Sequence, residues 1–422
     1  MTAYTLAEKI LLRASGAASV RADDIVIAKV DLAMMHDSGG PRRVAPYLER
    51  LGATVWDPDK VVLVTDHYVP AVDPQSAAIL SLTRRWAHEN SIKRFHDMQG
   101  ICHIVLQENA YLRPGMLVVG GDSHSPSGGA VGAFMVGIGA TEMAGVLVTG
   151  EIWLRVPATI SVEWTGALGA GVCAKDIMLA LCRDLGQNND YKAIEYSGSA
   201  IRAMPMAERF VLCNMSAELG AKAGMIAPDG TTLAEIRANG GIVDESALEW
   251  RSDPDATFER AVSFDASTLA PQVAAPHSPG NTRAVKSIGR VRIDQAYIGA
   301  CTGAKLTDLH MAARVLSGKK VASSVRLLVA PASTRTTQIA AADGTLATLT
   351  AAGAILLPTG CGACAGYGAG VLGEGEVCIS STARNFKGRM GDPSSQVYLG
   401  SPFTVAASAV AGYVADPRDF LN

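Results

Sequence analysis

Short apolar runs alternate with segments of helical period along most of this chain. "VVLVTDH" (61–67) and "GMLVVGGDSH" (115–124) predict buried strands that end in polar, chemically capable residues. "MQGICHIVLQE" (98–108) is a further apolar run with a histidine inside it. "ATISVEWTGAL" predicts a strand, and "AKDIMLALCRDLG" (174–186) an amphipathic helix stopped by Gly186. "MAERFVLCNMSAELGAKAG" (206–224) predicts one more helix, ending near Gly220 or Gly224. "SVRLLVAPAS" and "GAILLPTG" predict strands toward the C-terminus.

This alternation predicts α/β layers in more than one domain, because 422 residues exceed what a single core usually serves. The expected units are 1–157, 158–269 and 284–422. The stretch "APQVAAPHSPGNTR" (270–283), with three prolines and little periodicity, is the expected linker. In open α/β sheets ligands gather beyond the carboxyl ends of strands, so the Asp-His and Asp-Ser-His endings stand where a site belongs.

Composition narrows the function. A formal net charge of −3 gives no ground for general affinity to nucleic acid or anionic membranes. The most apolar stretch, "GAVGAFMVGIGATEMAGVLVTG" (129–150), is rich in glycine and carries Glu142, which predicts a buried segment rather than a span. Eight cysteines without a secretory signal argue against a disulfide framework, so a cytoplasmic protein is expected.

Cys361 and Cys364 form a C-x-x-C on a glycine-rich turn after "GAILLP". Alone, the motif admits a redox dithiol, half a zinc site, part of an iron–sulfur site, or small cysteines in a tight turn. "AGYGAG" is a poor helix start, which disfavours a thioredoxin-like dithiol. No second C-x-x-C supplies the four ligands of a structural zinc site. Cys301, in "AYIGACTGAKLTDL", also follows an apolar run and precedes a helical pattern. Two such turns can present three thiolates to one point. Three thiolates hold three corners of a [4Fe–4S] cube and leave one open iron, a Lewis acid.

In their order, "VDLAMMHD" (30–37), "TDHYVP" (65–70), "GICHIVLQE" (100–108), "GDSHSPSGGAVGAFMVGIGATE" (121–142), "CNMSAELGAKAG" (213–224), "IGACTGAK" (298–305), "GCGAC" (360–364) and "RNFKGRMG" (384–391) resemble the aconitase superfamily. The likeness is to the large subunits of 3-isopropylmalate dehydratase and homoaconitase, over nearly the whole chain. It implies three aconitase-like α/β domains around a central cleft, without the fourth, swivelling domain. It implies a [4Fe–4S] cluster with one open iron on Cys301, Cys361 and Cys364. Asp66, His67, His103, Asp122, His124 and Glu218 match catalytic positions; Ser123, Asn214, Arg384 and Arg389 match substrate-binding ones. Asn214 and Glu218, four apart on the expected helix, would share one face.

The implied activity is hydro-lyase chemistry on a small 2-hydroxy di- or tricarboxylic acid, 3-isopropylmalate first. Homoaconitase, dimethylmalate and maleate/malate hydro-lyases are the alternatives. The base belongs to the fourth domain, so the resemblance implies a separate small subunit. Two rivals stand outside this reading: a zinc protein using the cysteines and a histidine, and a non-catalytic scaffold. The sequence departs from the family pattern at Gly303 and Ala383, where asparagines are usual, and at Ala363 and Ala365. The expectation is room near the cluster for water or a bulkier substrate. His36 and Asp37 fit a polar turn as well as a site. His88, His96, His277 and His310 are expected in polar helices or the linker, without a role.

Overall fold

The computed structural model describes residues 3–421. A five-stranded, all-parallel sheet runs in the order Arg94–Asp97, Val61–Thr65, Leu32–His36, Leu117–Gly120, Phe134–Gly137. Its central strands are buried along their whole length, as strands covered on both faces must be. An antiparallel ribbon, Ile25–Lys29 against Glu151–Arg155, lies beside it in the chain. A four-stranded parallel sheet follows: Ala223–Met225, Ala193–Ser197, Thr159–Thr165, Arg260–Asp265. The last sheet has seven strands, in the order Thr282–Ala284, Gln272–Ala274, Gln396–Gly400, Val377–Ser380, Gln295–Ile298, Arg326–Val329, Ile355–Leu356.

Residues 270–283 are not the free tether expected of them. Gln272–Ala274 pairs antiparallel with Gln396–Gly400, and Thr282–Ala284 extends that edge. The backbone amide of Gln272 donates to buried Asp176 at 2.7 Å. Pro276 and Pro279 lie in the turn between these two strands, where a missing N–H costs no ladder bond.

The helix Ala174–Asp184 forms as its pattern dictates. Asp176 reaches back to the amide of Cys173, closing its first turn. The helix expected over 206–224 stops sooner. Met206–Asn214 is α-helical, Met215–Leu219 tightens to a 3-10 turn, and Gly220 ends it in the left-handed region at φ 83°. His96 lies not in a helix but in the strand Arg94–Asp97, buried, with its ring nitrogens 2.8 Å from Gln99 Oε1 and 3.0 Å from Tyr111 Oη. Among the described residues no helix is long and apolar enough to cross a membrane.

Strand ends direct the chemistry. His36 closes Leu32–His36, Asp66 follows Val61–Thr65, and Asp122 follows Leu117–Gly120, all at carboxyl ends of the first sheet. Cys301 follows Gln295–Ile298, Cys361 follows Ile355–Leu356, and Arg384 follows Val377–Ser380, at carboxyl ends of the seven-stranded sheet. The two sets are tied together: the Cys361 amide donates to the Asp66 carbonyl at 2.8 Å, and the Ile101 amide to the Ala332 carbonyl at 2.9 Å.

Candidate active site

The Asp66–His67 dipeptide is held by its own neighbours. Asp37 accepts from the amides of His67 (3.1 Å) and Tyr68 (2.8 Å). The Asp66 carboxylate takes the Cys102 amide at 2.7 Å with one oxygen and stands 2.6 Å from His67 Nδ1 with the other. Burial alone would push Asp66 up, but the charge and hydrogen bond of His67 hold it at about 2. Burial pulls His67 down, and Asp66 more than reverses this, raising it to about 9. The pair is therefore an imidazolium and a carboxylate at neutral pH. The His36 ring stacks on His67 at 4.1 Å, and its Nε2 lies 3.0 Å from the Gly121 carbonyl.

A second network joins the other expected residues. His103 Nε2 stands 2.8 Å from Asp122 Oδ1, which also accepts the His124 amide at 2.8 Å. Against the cost of burial, His103 holds the Asp122 carboxyl well below its usual range. His124 Nε2 is 3.0 Å from Glu218 Oε1, and the Arg384 Nε donates to that same oxygen at 2.7 Å. Burial opposes ionisation of Glu218, but His124 and Arg384 prevail and lower it. Arg384 also donates to Ser123 Oγ at 2.8 Å. A cleft of about 360 Å³ opens over Asp122, Ser123 and Arg384, with Lys222 at its wall. A second opening, about 330 Å³, has His67 and Tyr367 on its wall.

The three cysteines meet this network. The Asn214 amide donates to Cys301 Sγ at 3.3 Å. Burial, then the neighbouring Cys364, pushes the Cys301 thiol up to about 12. Burial, Asp66 and the other two thiols push Cys361 well above its usual range. Burial also raises Cys364, against the pull of Arg389, Arg384 and Lys175. Cys361 thus feels both other thiols, and Cys301 feels Cys364.

The donor set distinguishes one ion from a cluster. Two thiolates on a single zinc lie no more than about 4.6 Å apart, since each bond is about 2.3 Å. Among the described residues, the groups whose ligand atoms all fall within 4.8 Å of one another are His36–Asp37–Asp66–His67 and His103–Asp122–His124. The three cysteines are not such a group, so their sulfurs do not all lie within 4.8 Å of one another, wider than a single zinc allows. Among the described residues, His103 Nδ1, Asn214 Oδ1, Glu218 Oε2, Tyr297 Oη and Arg389 Nε are buried polar atoms of this region without a partner.

All thirteen expected residues thus lie in one connected neighbourhood. Asn214 and Glu218 reach it by a different route from the one expected. The helix gives way to the 3-10 turn between them, and both are nevertheless buried against the site. The room expected at Gly303 does not exist. A Cβ there would lie 2.1 Å from Ser381 Oγ and 2.6 Å from the Ser381 carbonyl oxygen. Ser381 fills that space and donates to or accepts from the Gly299 and Gly303 backbone. Ala383 is likewise buried.

Lys175 escaped the sequence reading. It is 1% exposed, and its ammonium donates to the carbonyls of Ser381 (3.0 Å) and Thr382 (2.6 Å). Burial lowers it to about 8, against the charges of Glu218 and Cys301. Its only sequence signal is a lysine on the apolar face of a helix.

Comparison with known proteins agrees with the geometry. The model of the aconitase family (aconitate hydratase) matches residues 8–412. The large subunit 1 of 3-isopropylmalate dehydratase from Methanopyrus kandleri is 46% identical over 420 residues, covering 99% of each chain. The corresponding large subunit from Herpetosiphon aurantiacus is 43% identical, covering 99% of this chain and 97% of that one. A protein named probable methanogen homoaconitase large subunit, from Methanothermobacter thermautotrophicus, is 41% identical over 424 residues, covering 99% and 98%. The solved structure of Thermococcus kodakaraensis aconitase X in its holo-form shares the fold at TM-score 0.50 and 13% identity, covering 88% of this chain and 89% of that one. Motifs in order, paired parallel sheets facing one site, and full-length likeness lead to one assignment: this chain belongs to the aconitase family.

Proposed function

We propose that the chain is the large subunit of a two-chain hydro-lyase that reversibly dehydrates or isomerises a small 2-hydroxy di- or tricarboxylic acid, with 3-isopropylmalate as the first candidate. The observation that carries this reading is the meeting of three cysteines with a charged Asp66–His67 pair and with Arg384 on Glu218. Relatives named as 3-isopropylmalate dehydratase large subunits support the substrate, and one named as a homoaconitase keeps homocitrate as the alternative.

Cys301, Cys361 and Cys364 would hold a [4Fe–4S] cluster, and its open iron would supply Lewis-acid help to the departing hydroxyl. His67 carries the proton for that hydroxyl. Its Nδ1 is engaged by Asp66, which leaves Nε2 to donate. Asp37 fixes the His67 backbone and His36 stacks on its ring, so the acid is presented in one orientation. Arg384 and Ser123 face the cleft and receive a substrate carboxylate, where the planar guanidinium fits two oxygens. Arg389, beside Cys364, adds a second positive charge for the enediolate-like charge that develops on that carboxylate. Glu218 and His124 hold Arg384 in place. The base that removes the carbon-bound proton comes from a small subunit, in keeping with the "large subunit" names of the relatives.

The test is anaerobic reconstitution of the chain with iron, sulfide and its small subunit, assayed on 3-isopropylmalate, homocitrate, 2,3-dimethylmalate and malate. Turnover of one of these with a brown, iron-containing protein is expected. A colourless protein with one zinc, or no turnover on any of the four, overturns the reading.

A further inference from the structure

Tyr297 sits in the strand Gln295–Ile298, fully buried, and its hydroxyl has no hydrogen-bond partner among the described residues. Buried phenols rarely stay so. The position of the ring shows what is near it. A Cβ built on Gly299 would lie 2.2 Å from the ring and 2.5 Å from its oxygen, so the phenol folds across the backbone that leads to Cys301. A Cβ on Gly362, inside the C-x-x-C, would lie 3.7 Å from the same oxygen. The hydroxyl therefore reaches from the Cys301 loop to the backbone between Cys361 and Cys364. A phenol there has an O–H to donate.

The substrate is not the partner. Tyr297 has no place on the wall of the cleft over Asp122 and Arg384. It borders a separate cavity of about 50 Å³ with Val69, Leu357 and Gly362. Phenylalanine would fill the same volume without leaving a donor stranded.

Resting on the cluster reading above, we propose that Tyr297 is a positioning residue for the cluster, its phenol donating a hydrogen bond to a sulfur held at Cys361 or Cys364. Hydrogen bonds to cluster sulfurs raise reduction potential and secure the ligands. A rival partner is a water in the small cavity, which would satisfy the hydroxyl without touching the metal.

The test compares the full-length chain with Tyr297→Phe, each reconstituted anaerobically with iron and sulfide. Potential is read by EPR-monitored reductive titration, iron loss by challenge with a chelator, and melting of both apo-proteins by circular dichroism. The variant should show a more negative potential and roughly 10-fold faster iron loss. Its apo-form should melt no lower than wild type, because a stranded hydroxyl has been removed. Unchanged potential and iron loss overturn the proposal, and this is the outcome if water is the partner. A variant that melts lower or fails to fold as apo-protein also overturns it, since the hydroxyl would then serve the fold. If wild type itself takes up no iron, the cluster reading falls and takes this one with it. Uptake by both chains with identical properties removes only the role of Tyr297.

Discussion

Asp66 and His67 each titrate where the other permits. His67 titrates at about 9 in the fold against 6.5 when free, so its contribution is complete below 6.5 and lost as pH rises through 9. Asp66 titrates at about 2 against 3.8, so its contribution is complete above 3.8 and lost as pH falls through 2. Between those windows the pair stabilises in full. The melting temperature of wild type minus that of His67→Gln should therefore be larger at about pH 5.5 than at about pH 9.5. A difference that does not change with pH removes the charged-pair description. A second expectation concerns the sulfurs. Cys361→Ser should lose iron on reconstitution and lower activity with the small subunit by at least about 100-fold. Cys378→Ser, in the core strand Val377–Ser380, should keep its iron. Metal analysis of the two variants side by side decides this. Equal iron in both would mean that Cys361 is no ligand.

At the scale of elements, turns rather than helices and strands fix the site. Gly303 has no room for a side chain because Ser381, from the next parallel strand end, occupies it. Gly303→Asn should therefore cost about 1–3 kcal/mol by overpacking, seen as a lower melting temperature of the apo-protein. An unchanged melt would show that the two loops separate freely. This element also shows where sequence reasoning stops. The motif order revealed the strand ends, the cysteines and the Asp-His pair, because each lies in a local pattern with its own composition. Gly303 read as a missing amide because nothing local announces a serine 78 positions away. Asn214 and Glu218 were placed on one helical face, and the 3-10 turn that separates them has the same residues a helix would have. Lys175 was invisible because it stands in an amphipathic helix whose other turns are core. The short strands Gln272–Ala274 and Thr282–Ala284 were hidden by the prolines around them.

For the molecule as a whole, the three sheets contribute unequally. The first gives Asp66, His67 and Asp122, and the last gives the cysteines and arginines. From the end of the helix Met206–Asn214 and the 3-10 turn that follows it, before the strand Ala223–Met225, come Asn214 and Glu218. On the proposed function the base for the carbon-bound proton belongs to the small subunit, so purified chain alone should turn over isopropylmalate at least about 100-fold more slowly than with that subunit. Stopped assays with and without that subunit measure it, and equal rates would locate the base here. One peptide links the two halves of the chemistry: the amide of Cys361 rests on the carbonyl of Asp66. On the proposed cluster reading, whatever disturbed the three sulfurs would pull on the backbone of the very residue that charges the imidazole. Oxidation of these cysteines would then silence both halves in a single event.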